Sequence, residues 1–188
     1  MPDKNELDSF TSFRKYIYNE NNAEWECEQS SISDIDCCPI NLNPCKEGED
    51  CIIDCNEDVR SCQGYNVDAT DANSLNLTCS GLRNCQEMTV DCPLNGECNI
   101  NCIGQFTCSN INVNHTDNSM YQSINSSINI GCYGNQTCLY SSFNINESTN
   151  FNMQCVGQST CQYMDLYSYS VDNIQINCER IGKYFDYG

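Results

Sequence analysis

Eighteen of the 188 residues are cysteines, accompanied by a single histidine, His115, so thiol chemistry is the first chemistry this chain offers. Thiols at nearly one residue in ten serve metal ligation, redox exchange or disulfide cross-linking. Zinc and iron–sulfur sites draw their ligands from paired C-x-x-C runs or mixed Cys/His sets. The chain has no C-x-x-C pair, and one histidine cannot build mixed sets. Disulfides remain, and they persist in an oxidising compartment. Five N-x-[ST] sequons, at Asn76, Asn114, Asn125, Asn135 and Asn146, point the same way. The expected setting is secreted, extracellular or cell-surface, with N-linked glycans as a covalent modification and neither metal nor cofactor.

Carboxylates are the second reactive class. The chain carries 26 acidic and 8 basic residues, a formal net charge of −18. Phosphate backbones need clustered Lys/Arg, so nucleic acid is not an expected partner. Glycoside hydrolases need a carboxylate pair across the scissile bond, and lyases acting on acidic sugars need a strong base with calcium. Glu87, Asp91, Glu97, Asp165 and Asp172 recur at no common spacing, and only Arg83, Arg180 and Lys183 lie nearby to meet an anionic sugar. The chain is therefore not expected to be an enzyme. The acidic cluster Glu47, Glu49, Asp50 and Asp54 lacks an EF-hand pattern and reads as a solvated charge run. No apolar run approaches the roughly 20 residues that span a bilayer, so no membrane insertion is expected. The start, Met1-Pro-Asp-Lys-Asn, has no basic and apolar leader; either a signal peptide has been removed or residue 1 is not the native start.

The elements that position the cysteines emerge when the cysteines are aligned. Four segments share C-x-G-x-x-x-C: Cys79 to Cys85, Cys102 to Cys108, Cys132 to Cys138 and Cys155 to Cys161. Two degenerate copies flank them, Cys55 to Cys62 without the glycine and Cys178 without a second cysteine. The leading cysteines are 24, 23, 30, 23 and 23 residues apart, a solenoid period. Two and four positions before each leading cysteine the residues are almost all apolar, as in Leu77/Leu75, Ile100/Cys98, Ile130/Ile128, Met153/Phe151 and Ile176/Ile174. The residue between each pair is an amide, Asn76, Asn99, Asn129, Asn152 or Gln175, with Ile52 the exception. This alternation predicts a strand with an apolar inner face and an outer row of amides. A second apolar alternation follows the corner, in Tyr65/Val67, Met88/Val90, Ile111/Val113, Ser141/Phe143 and Met164/Leu166.

Each rung thus reads as strand, glycine corner, strand and variable return. At ~3.3 Å per residue, 23 residues make a circuit of about 75 Å. The expected fold is all-β: a right-handed parallel β-helix of about six disulfide-stapled rungs, preceded by an acidic N-terminal arm. The arm covers residues 1–44 and the cysteine-rich β-helix residues 45–188. The glycine suits a corner that needs positive φ. Seven extra residues between His115 and Ser127 are expected to bulge as a surface loop. In this register all five sequons fall outside the coil, Asn76 on the amide row, Asn135 in a corner, Asn125 in the insertion, and Asn114 and Asn146 in returns.

Two disulfide schemes fit the inward cysteine columns. One closes each corner on itself, for example Cys79 with Cys85. The other ties consecutive rungs, as Cys62–Cys79, Cys85–Cys102, Cys108–Cys132, Cys138–Cys155 and Cys161–Cys178. Both satisfy the Cα separation that a disulfide requires. Cys92 and Cys98 are expected to close a local loop, and Cys27, Cys37, Cys38, Cys45, Cys51 and Cys55 remain for the N-terminal region.

Fifteen of the acids lie in the first 60 residues, among the apolar groups Phe10, Phe13, Tyr16, Tyr18 and Trp25. These five are expected to dock, either as a cap over the first rung or a strap along the coil of the same molecule, or onto the next molecule. A β-helix needs caps, because its terminal rungs carry unpaired backbone groups. Little sequence follows the last rung for a C-terminal cap, so copies are expected to stack head to tail as a homo-oligomer.

The C-x-G-x-x-x-C rungs resemble cysteine-rich β-helix repeats of secreted and surface proteins in algae, oomycetes and other protists. The resemblance spans roughly residues 51–184. It implies an extracellular setting and membership of fibrous appendages, and it supplies no active site. The expected function is an extracellular structural glycoprotein, a protomer of a head-to-tail fibre. The alternative is a secreted carbohydrate-binding or adhesion module, with the amide row and Tyr121, Tyr133, Tyr163, Tyr167 and Tyr169 lining a sugar-contacting face.

Overall fold

The structure is a computed structural model that describes residues 16–19, 24–27, 45–56, 62–115, 126–146 and 150–179. Strands β1 (Tyr16–Asn19) and β2 (Glu24–Cys27) pair as an antiparallel hairpin with Tyr18 opposite Trp25. The remaining strands build a solenoid, two to a coil. The first coil holds β3 (Asp50–Cys55) and β4 (Asn66–Asp68), and the second β5 (Ser74–Leu82) and β6 (Thr89–Asp91). The third holds β7 (Glu97–Gln105) and β8 (Asn112–His115), and the fourth β9 (Ser127–Tyr133) and β10 (Ser142–Asn146). The fifth holds β11 (Asn150–Val156) and β12 (Asp165–Tyr169), and β13 (Asn173–Glu179) opens a sixth. The odd strands form a six-stranded parallel sheet and the even ones a five-stranded parallel sheet, both in sequential order. No helix among the described residues is long and apolar enough to cross a membrane.

The register follows the cysteine alignment. Cys55, Cys79, Cys102, Cys132, Cys155 and Cys178 are consecutive partners across the larger sheet. The inner columns are buried as the alternation requires: Leu75, Leu77, Ile100, Ile128 and Phe151 from the first sheet, with Val67, Val90, Val113 and Phe143 from the second. Phe143 and Phe151 face each other across the coil at a ring separation of 6.3 Å. Because each coil buries its apolar residues against the coils above and below, the core is one continuous column.

The corners decide between the two disulfide schemes. Cys55–Cys62, Cys79–Cys85, Cys102–Cys108, Cys132–Cys138 and Cys155–Cys161 each close their own corner. Cys45–Cys51 and Cys92–Cys98 close further short loops. The between-rung scheme is therefore not the arrangement adopted. Positive φ at Cys62, Cys85, Cys108, Cys138 and Cys161, between 52° and 56°, bends the chain back within each corner. That brings the paired Cα atoms to 6.0–6.2 Å.

The structure also corrects the insertion boundary. His115 is not loop but the last residue of β8, where the inward parity of Ile111 and Val113 carries its ring into the core beside Ile145. Its Nδ1–H donates to the carbonyl oxygen of Asn146 at 2.7 Å. Residues 116–125, with Tyr121 and Asn125, lie outside the described residues.

Candidate functional site

The corner column is built from three stacked features. Gly81, Gly104, Gly134 and Gly157 have φ between +113° and +140°, a region L side chains rarely adopt. They also lie directly over one another. A Cβ added to Gly104, Gly134 or Gly157 would meet the carbonyl oxygen of the preceding glycine at 2.1, 2.0 or 1.9 Å. Three residues after each of these glycines, Thr107, Thr137 and Thr160 donate their hydroxyls to the carbonyls of Gly81, Gly104 and Gly134 at 2.8, 2.7 and 2.6 Å. Asn84 takes the same place in the second coil and donates to the carbonyl of Cys55. Each side chain reaches back one coil and satisfies a carbonyl that the tight corner removes from water. The recurring threonine before the second cysteine is the sequence signal for this column.

The sulfurs complete the corner. Those of Cys55, Cys79 and Cys85 lie within 4.8 Å of one another, as do those of Cys132, Cys138 and Cys161. All six are spent in disulfides and offer no thiolate to a metal. Cys178 is a free cysteine, and it is exposed.

The outer face of the larger sheet carries the amide row expected of it, joined side chain to side chain. Asn152 donates to Asn129 at 2.9 Å, Asn129 to Asn99 at 2.9 Å, and Asn99 to Asn76 at 3.0 Å. The row ends at Asn76 because the next position is Ile52, which can accept no hydrogen bond. A shallow groove of about 440 Å³ follows these amides. At Gly131 the Tyr133 ring lies over the backbone, 2.6 Å from where a Cβ would be. The phenolic hydroxyl of Tyr133 donates to Oε1 of Gln154 at 2.8 Å.

Large apolar groups come to the surface in the last coils. Tyr140 and Tyr163 stack on the corner with centroids 5.0 Å apart and planes 11° apart, and both are exposed. Tyr167 and Tyr169 stand on the outer face of β12. On the inner side, Ile174 and Ile176 of β13 are 48% and 39% exposed, whereas their partners Phe151 and Met153 in the preceding coil are 1% and 2% exposed. β13 and β12 each form one edge of their sheets, and β3 and β4 form the other.

Of the sequon asparagines, Asn76 and Asn135 are exposed, whereas Asn114 and Asn146, expected in returns, instead stand at half-buried outward positions on the strands β8 and β10, which run past the apolar pair of each repeat. Of the five residues expected to dock, Tyr16, Tyr18 and Trp25 fall in the hairpin, while Phe10 and Phe13 lie outside the described residues, as do Cys37 and Cys38. No protein-family model, curated protein or solved structure matches this chain.

Proposed function

We propose that this chain is an extracellular structural glycoprotein whose copies stack end to end along the solenoid axis. The reading is supported chiefly by the last coil. Ile174 and Ile176 belong to inward columns that the second to fifth coils bury, yet they are left open, and the edge of β13 can accept another parallel strand. The first coil carries Cys51, Ile53 and Cys55 at the same ladder positions, Ile53 half-buried and both cysteines buried, so the first coil of a second copy would continue the register of the backbone ladder. Stacking in one direction does not close, so it yields a fibre rather than a dimer. The seven disulfides among the described residues suit an oxidising exterior. The test is the double substitution Ile174→Asp and Ile176→Asp. Wild-type material is expected to form filaments in negative-stain micrographs, and the variant to remain monomeric by light scattering. Wild-type protein that stays monomeric at millimolar concentration would overturn the reading.

A second reading rests on the amide groove. Uncharged amides beside the Tyr133 ring suit a neutral sugar chain, and the net charge of −18 disfavours an anionic one. Binding on a glycan array that is lost in Tyr133→Ala separates this adhesion role from assembly.

A further inference from the structure

We propose that the N-linked glycan of Asn146 is seated on the ring of Tyr169, so that the protein's own sugar covers the tyrosine face of the last complete coil. The inference rests on the reading of the chain as a secreted glycoprotein. Asn146 opens the sequon Asn146-Glu147-Ser148 and is the last residue of β10; Tyr169 is the last residue of β12. The two are direct partners in the parallel ladder. Both stand at outward parity. In β10 the alternate residues Phe143 and Ile145 are buried, which leaves Asn144 and Asn146 on the outer face; Phe143 pairs with Leu166, which leaves Tyr167 and Tyr169 on the same face.

Neighbouring strands lie about 4.8 Å apart, so a sugar attached to the Asn146 amide emerges beside the Tyr169 ring. The C–H face of an N-acetylglucosamine is apolar, its edge is polar, and a tyrosine presents the matching pair, an aromatic face with a hydroxyl at its rim. Tyr169 is 72% exposed, the highest value among the exposed large apolar residues, and Tyr167 beside it is also open. The described residues leave this surface uncovered, and a covalently attached glycan needs no encounter step to cover it. The other two sequons on strands lack such a partner. Asn76 lies between Ile52 and Asn99, and Asn114 lies between Asp91 and Asn144 and donates to the Asp91 carboxylate at 2.9 Å.

The experiment uses the full chain secreted from a eukaryotic host and treated in its native state with peptide-N-glycosidase. Release is followed site by site by mass spectrometry. A ring that holds the first sugar slows release at Asn146. Tyr169→Ala is therefore expected to raise that rate about 3- to 10-fold, the factor corresponding to one aromatic stacking contact. Tyr169→Phe keeps the slow rate, and release at Asn76 is unchanged in both variants. Equal rates at Asn146 in wild type and Tyr169→Ala overturn the seat while leaving the glycoprotein reading intact. So does glycan at Asn76 with none at Asn146. A chain modified at no sequon overturns both.

Discussion

The carbonyl oxygen of Gly104 lies 2.0 Å from where a Cβ on Gly134 would be. That relationship, repeated up the corner column, fixes how closely successive coils approach. The glycine is needed on two counts, its positive φ and the absence of a side chain above a neighbouring carbonyl.

The first prediction follows. Gly134→Ala combines a left-handed backbone penalty with overpacking against a main-chain oxygen that cannot move without shifting the coil. It is expected to cost about 3–4 kcal/mol in chemical denaturation. Gly48 also has positive φ, at 72°, but nothing lies within 4 Å of its Cβ position. Gly48→Ala is expected to cost about 1 kcal/mol. Equal effects at the two sites would remove the stacking contact as the reason for the corner glycine.

Thr137 donates to the Gly104 carbonyl at 2.7 Å from a fully buried position. Thr137→Val preserves volume and shape but leaves that carbonyl without its hydroxyl partner. A loss of about 1–3 kcal/mol is expected, while Thr137→Ser retains the donor and is expected to recover part of it. The urea midpoints of the three proteins measure the difference.

The disulfide pattern can be read chemically. Digestion without reduction is expected to yield the Cys102–Cys108 and Cys132–Cys138 pairs each as one internally linked peptide, with Cys178 alkylated. Replacing Cys102 and Cys108 together by serine opens a loop of only six residues' separation, so the expected loss is about 2 kcal/mol, at the low end for a disulfide. Peptides joining Cys108 to Cys132 would instead indicate the between-rung scheme.

Much of the coil was legible before any coordinates. Strand direction is a local matter of period-two alternation, so Leu75, Leu77, Ile100 and Val113 could be assigned inward and Asn76, Asn99 and Asn129 outward from neighbours along the chain. The register of the stack followed because a repeated cysteine marks the same place in each turn. The place of His115 is not legible locally, because its strand runs two residues beyond the apolar pair Ile111/Val113 before the insertion begins.

What the sequence by itself determined is the period, the inner and outer faces and the order of the coils, since these depend on residues within one turn of the repeat. Only the tertiary structure decided which cysteine joins which, because both columns share one parity and lie within bonding range along and across the coils. It also decided which hydroxyl meets which carbonyl, as in Thr137 with Gly104, and that Asn146 stands beside Tyr169. Those partners are 33 and 23 positions apart in the chain. They become neighbours only when stacking brings successive coils within one strand spacing, about 4.8 Å.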